Sequence, residues 1–190
     1  MTHNSRTKGQ SMLAEELDSV VIVDYDPERK NLFNLEKELL SDLFAGINIT
    51  IEHVGSTSIE GLGGKPIIDI MIGVESLDVV DERIEQLAAH HYLYLPHFEQ
   101  DFPERKFFRK PKTGPRECHL HCALIDSDFY RDHIDFRNYL MNNPSAADEY
   151  FELKQRLADQ HGHDRNAYTN AKSDFIERSL ELARQKNNIN

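Results

Sequence analysis

The stretch "HVGSTSIEGLGGKPIIDIMIGV", residues 53–74, decides how the chain is read. A Gly-Ser pair, Gly55 and Ser56, ends one β-rich run, and a single aspartate, Asp69, stands between Ile68 and Ile70 in the next. Burying a carboxylate without a partner is costly. Asp69 therefore has a task at a site, as a ligand or a base, or it is an ion-pair partner of an arginine such as Arg109. Side chains alternate along a strand. Ile68, Ile70 and Ile72 then share one face, and Ile67, Asp69 and Met71 share the other.

A second stretch answers the first. In "ECHLHCALI", residues 117–125, the same alternation puts Cys118, Leu120, Cys122 and Leu124 on a core face and turns His119 and His121 the opposite way. If the two strands are neighbours, Asp69, His119 and His121 converge. Two imidazoles and a carboxylate can hold a divalent metal such as Mg, Mn or Zn, and the same three groups can do acid–base work. Histidines two residues apart are also what a solvated strand face looks like.

The Gly-Ser turn offers a place for an anion. A glycine ending a strand and a serine opening a helical turn expose backbone N–H groups that suit phosphate. Thr57 and Ser58 would add hydroxyls, and Lys65 a compensating charge. The alternative is a plain strand-to-helix turn with Ser56 as its N-cap. "GLGGKP" is not a P-loop, because the first glycine is missing at the required spacing and proline follows the lysine. Arg109 alternates onto the face of Phe107, where it can bind phosphate or pair with a carboxylate. Tyr168 and Lys172, four apart in a helical pattern, share one side and can reach a ligand or face solvent. Arg137 has Asp135 or Glu149 as possible partners, and His161 and His163 read as loop histidines beside Gly162.

Outward from these motifs the chain is read as follows. "SVVIV" (19–23), "INITIEHV" (47–54), "KPIIDIMIGV" (65–74), "YLYL" (92–95), "KFFRK" (106–110) and "ECHLHCALI" are strands. "DPERKNLFNLEKELLSDLF" (26–44) is a helix capped by Asp26, with Pro27 in its first turn and Leu32, Leu35, Leu39 and Leu43 as its apolar stripe. "DVVDERIEQLAAHH" (78–91) is a helix with Val79, Ile84 and Leu87 inward. From Asp128 onward three helices follow, 129–143, 145–162 and 165–186, with Pro144 and Gly162 between them. The fold expected is α+β: a mixed sheet flanked by helices, with a helical C-terminal third. Residues 1–17 read as a polar tail, and 18–186 as one domain.

Composition bounds the function. The chain has 190 residues, 39% apolar, and a net charge of −11. That charge disfavours non-specific nucleic-acid binding. "ERKFFRKPKTGPR" (104–116) is a basic cluster able to hold a small anion. No run is long and apolar enough for a membrane span and no signal-peptide core is visible, so a cytoplasmic protein is expected. Cys118 and Cys122 would lie about 13 Å apart on a strand, too far for a disulfide, and read as buried thiols in a reducing compartment.

Together "VDYDPE", "IEHVGSTSIEGLGGKPIIDIMIGV", "KFFRK", "ECHLHCALI", "DFRNYL" and "AYTNAKSDFI" resemble the GrpB family of bacterial proteins, in order, from about residue 19 to 183. That family is in turn similar to the DNA polymerase beta-like nucleotidyltransferases. The resemblance implies a Gly-Ser turn, at Gly55 and Ser56, and a first carboxylate, at Asp69, that with further carboxylates aligns a metal-bound nucleotide. The ligand expected is a nucleotide or phosphorylated small molecule, with Gly55, Ser56, Thr57, Ser58, Lys65, Arg109, Tyr168 and Lys172 as its candidate contacts. The sequence departs from that pattern where the second carboxylate should be, since Met71 stands there, and His119 and His121 stand where the third should be. Mg²⁺ disfavours imidazole. Three functions follow as expectations: a nucleotidyltransferase-like enzyme, a degenerate nucleotide- or metabolite-binding module, and a metal-dependent hydrolase using Asp69, His119 and His121.

Overall fold

The run of β-branched residues from Ile68 to Val74 forms the inner strand β2, flanked on both sides by other strands. The computed structural model describes residues 19–111, 113 and 116–187; the tail read for residues 1–17 lies outside them. Five strands make one sheet in the order β1-β2-β5-β4-β3: β1 Thr50–Val54, β2 Ile68–Val74, β3 Leu93–Tyr94, β4 Arg105–Lys110 and β5 Cys118–Leu124. β2 and β5 run parallel and every other pair is antiparallel, so the sheet is mixed and the architecture α+β.

One face carries the main core. Ile68, Ile70 and Ile72 of β2 and Cys118, Leu120 and Cys122 of β5 meet Phe33 and Leu40 of helix α1 (Glu28–Leu43). They also meet Val80 of α2 (Asp78–Asp81) and Leu87 of α3 (Ile84–Ala89). Each fully buried aliphatic side chain there contributes about 1.5–3 kcal/mol. The other face is covered by α4 (Asp128–Met141), beside which pack α5 (Pro144–His161), α6 (Arg165–Asn170) and α7 (Ser173–Asn187). Val54, Met71 and Ala123 pack there under Phe129, Tyr130 and Ile134 of α4. Among the described residues no helix is long and apolar enough to cross a membrane.

Several expectations change. "SVVIV" is not a strand. Only Val23 bridges, to Gly64, while Val20 N–H is bound by the Gly162 carbonyl, so the segment is shared between two loops and lacks a strand partner. In α1 Leu35 is 65% exposed, and the buried line is Phe33, Glu36 and Leu40. Four leucines outweighed one glutamate in the pattern, but Glu36 is buried with its charge satisfied by Lys110 Nζ and Tyr92 OH, each at 2.6 Å. The helix expected over 78–91 breaks at Arg83, which donates to the carbonyls of Leu43 and Val79. Val80 rather than Val79 is the fully buried residue there. The last helix is interrupted between Asn170 and Ser173.

Candidate functional site

Register alone brings the three singled-out residues together. Parallel pairing of β2 with β5 sets Asp69 beside His119 and Met71 beside His121. Ligating atoms of Asp69, His119 and His121 all lie within 4.8 Å of one another. His119 Nδ1 is 3.0 Å from Asp69 Oδ1, and His121 Nε2 is 3.9 Å from the same oxygen, beyond hydrogen-bond range. Burial opposes ionisation of Asp69, but the hydrogen bond from His119 and the neighbouring imidazoles outweigh it, and the carboxyl sits well below its usual range. Burial lowers His121 to about 3, so that ring is neutral. His119 holds Asp69 as an anion through that hydrogen bond.

Behind His121 stands Arg105, 6% exposed, with its guanidinium 4.8–5.8 Å from the rings of Phe98, Phe102, Phe107 and Phe129. Its Nη1 donates to His121 Nδ1 at 3.1 Å. Beside His121 lies His133 of α4, whose Nδ1 is 2.7 Å from the Phe129 carbonyl and whose proton affinity burial lowers.

Gly55 closes the other side. Its backbone has φ 71 and ψ −175, a region open in practice only to glycine. A Cβ built there would overlap Asp69 Oδ2. The glycine is thus needed both for the turn and because the Asp69 carboxylate lies against it.

Asp69, His119 and His121 form part of the wall of a cavity of about 290 Å³. Gly55 and Ser56 of the turn, Lys65, Lys154 of α5, Tyr168 of α6 and Lys172 line it as well. Burial is the first cause that lowers the proton affinity of all three lysines, with neighbouring cations second. Burial first, then Lys172 and Lys65, lower Lys154 to about 7. Burial, then Lys65, lower Lys172 to about 8. Lys65 is lowered by burial, with Asp69 opposing. Lys172 Nζ lies 4.5 Å and Lys65 Nζ 5.8 Å from the centre of the Tyr168 ring. Lys154, only 2% exposed, donates to Ser56 Oγ at 2.9 Å and to the Gly63 carbonyl, and so ties α5 to the turn.

The remaining candidates are sorted by this geometry. Tyr168 and Lys172 reach the cavity although the helix breaks between them, since the turn preserves their common side. Arg109 lies on the same sheet face, opposite His119 on β4. Thr57 and Ser58 turn away: Thr57 Oγ1 bonds His53, Ser58 Oγ donates to the Gly55 carbonyl, and both line a separate cavity of about 730 Å³ along the edge strand β1. Arg137 pairs with Glu52 and the His53 carbonyl rather than with Asp135 or Glu149. Of the basic cluster read over 104–116, Lys106 pairs with Asp81, Lys110 with Glu36, and Arg105 is caged by aromatics. Sequence reasoning passed over Lys154 and His133, and took Arg105 only as one member of the basic cluster. A signal existed for the first: Tyr150, Lys154 and Leu157 share the buried stripe of α5.

A charge count shows what the arrangement can do. Lys65, Lys154, Lys172 and Arg137 face Asp69 in the lining of the cavity, an excess of basic groups of the kind that attracts anions. The Asp-His-His cluster on its wall has the donor chemistry for a divalent metal.

Comparison with known proteins agrees along the chain. A profile of the GrpB family, described as GrpB protein, matches residues 19–182. The glutamate-rich protein GrpB of Alkalihalophilus pseudofirmus is 36% identical over 172 residues, covering 89% of this chain and 98% of that one. The UPF0157 protein YqkA of Bacillus subtilis is 35% identical over 175 residues, 90% of this chain, which spans 50% of that longer protein. The crystal structure of the conserved protein GrpB from Enterococcus faecalis superposes with a TM-score of 0.79 at 31% identity, covering 87% of this chain and 98% of that one.

Proposed function

The chain belongs to the GrpB family, and from that membership and the chemistry of its cavity we propose that it binds a phosphorylated small molecule, a nucleotide, together with a divalent metal, as a nucleotidyltransferase-like protein. The observation that supports this is the convergence of Lys65, Lys154 and Lys172 on the cavity whose wall holds Asp69, His119 and His121. A metal at that cluster would supply charge neutralisation and Lewis acidity. The lysines neutralise phosphate oxygens, Ser56 Oγ adds a hydrogen bond, and Tyr168 offers a ring face beside them. Inside a chain of net charge −11, such a cavity selects small anions over a nucleic-acid backbone. The two free, buried thiols Cys118 and Cys122 suit a reducing compartment, in keeping with a cytoplasmic protein.

One observation favours binding without transfer as a second reading. Met71, where a second carboxylate would complete a two-metal site, is fully buried against Val54 and Ala123. No second hard ligand can enter there without dismantling that packing, so magnesium-pair chemistry does not fit.

The test is thermal unfolding with ATP, inorganic triphosphate and Mn²⁺, alone and combined. A ligand at a hundred times its Kd adds about 2.7 kcal/mol, a rise in Tm of roughly 5–10 °C for a chain of this size. Lys172→Met should reduce the response to triphosphate, and Asp69→Asn only the metal-dependent part. Absence of any shift in wild type would sink the reading. Turnover of labelled nucleoside triphosphate separates transfer from binding.

A further inference from the structure

The three lysines of the cavity are not held alike. Lys154 is anchored: its ammonium donates to Ser56 Oγ and the Gly63 carbonyl, and the rings of Tyr150 and Phe151 lie 4.7 and 5.8 Å away. Lys65 and Lys172 are not. Among the described residues neither Nζ makes a hydrogen bond or an ion pair, and both lie against one buried ring, that of Tyr168, at 5.8 and 4.5 Å. Their surroundings then separate them. After burial, the largest influence on Lys65 is the Asp69 carboxylate, which favours its charge. After burial, the largest influence on Lys172 is Lys65, which opposes its charge, with Asp69 favouring it and Arg165 opposing it in turn. Lys172 is lowered to about 8. At neutral pH about a tenth of it is a free amine, against fewer than about one in a thousand for an ordinary lysine. A desolvated lysine beside a second cation is the arrangement that activates an amine toward carbonyl carbon.

We propose that Lys172 is a nucleophile that forms a Schiff base with a small aldehyde or ketone bearing a phosphate group. The Nζ lone pair adds to the carbonyl carbon, and the carbonyl oxygen takes up the proton that the nitrogen releases. The resulting carbinolamine loses its hydroxyl and the remaining N–H proton as water, and the C–N bond becomes C=N. No oxidant or reductant is consumed. The Tyr168 ring lies against the attacking amine, while Lys65 and Lys154 stay charged or hydrogen-bonding at the phosphate. A cavity of about 290 Å³ limits the ligand to a small molecule. This rests on the anion reading above for the phosphate of the ligand, but not for the amine.

Two aldehydes test the proposal on the intact chain. Formaldehyde is uncharged and, with cyanoborohydride, methylates amines through an imine. Peptide mass spectrometry after brief labelling near neutral pH should find Lys172 modified at least about tenfold faster than the exposed Lys37. The Lys172 rate should level off above about pH 8, while that of Lys37 keeps rising. Pyridoxal 5′-phosphate then reports the ligand class. Its imine with Lys172, trapped by borohydride, should form at lower concentration than that of pyridoxal, and inorganic triphosphate should compete with it. Lys172→Arg keeps the charge, so it should lose the adduct and retain the rise in Tm with triphosphate. Labelling of Lys65 or Lys154 ahead of Lys172 would overturn the proposal, as would a Lys172 no faster than Lys37. Fast methylation of Lys172 with equal capture of pyridoxal and its phosphate would uphold the nucleophile and overturn the phosphate, which counts against the anion reading rather than the amine.

Discussion

At the residue scale, Gly55 and Lys154 carry the strongest constraints. Gly55 combines a positive φ with contact against Asp69. Gly55→Ala is expected to cost about 1–3 kcal/mol from backbone strain and to displace the carboxylate, so chemical unfolding should show the loss and Mn²⁺ affinity should fall with it. Lys154 makes a pH-dependent prediction. Burial lowers its ammonium from 10.5 to about 7. Between those values the unfolded chain holds a proton that the folded one has released, so stability rises with pH across that window. Below about 7 both states are protonated and the full cost of the buried charge is present. Above 10.5 both are neutral and the cost is gone. Lys154→Met should therefore gain most over wild type below about pH 7, on the order of 3–5 kcal/mol, offset by a pH-independent loss of the bonds to Ser56 and Gly63. Urea unfolding of both proteins across the window checks this. A wild-type-minus-variant difference that does not change with pH would mean that the folded Lys154 titrates normally.

At the element scale, the site is made by strand pairing and held by helix ends. β2 and β5 supply Asp69, His119 and His121, and their parallel register alone brings those side chains together. Helix α4 fixes the cover. Its N-cap Ser127 accepts from the Tyr130 N–H at 3.2 Å and donates to the Leu124 carbonyl at the end of β5. Ser127→Ala should cost about 1 kcal/mol. Because α4 carries His133 and packs Phe129 against Arg105 and His121, the variant should also raise hydrogen exchange at the C-terminal end of β5. The turn before α7 keeps Lys172 on the side of Tyr168, with its Nζ 4.5 Å from the ring centre.

At the scale of the whole molecule, both faces of one sheet are buried, the first by α1 to α3 and the second by α4 with the helices beside it. The shared strands β2 and β5 couple the two sides. We expect one cooperative unfolding transition, with coincident circular-dichroism and fluorescence curves. Leu120→Ala, at a fully buried position of β5, should lower its free energy by about 2–5 kcal/mol without splitting it. Two separated transitions would show that the helical cover folds independently of the sheet. The expectation of one domain over residues 18–186 stands on this experiment.

Local pattern by itself determined the α+β class, a central strand within residues 65–74, the opposed faces of Ile68–Ile70–Ile72 and Asp69–Met71, and the pairing of His119 with His121 on one side. Period-2 alternation is short-ranged, and the backbone enforces it wherever a strand forms. The family membership was also legible, because "HVGSTSIEGLGGKPIIDIMIGV" and "ECHLHCALI" keep their order along the chain. Only tertiary structure decided that β2 and β5 are neighbours, that Lys154 joins Lys65 and Lys172, and that Thr57 and Ser58 face another cavity. It alone decided that the charge of Arg105 is spent on His121 rather than on an anion. These depend on which elements meet across long loops. A lysine on a buried stripe or an arginine beside two phenylalanines looks the same in sequence whether it faces water, a partner or a cavity. Burial makes the difference, because it removes the water that would otherwise satisfy those charges and requires each of them to find a partner in the fold.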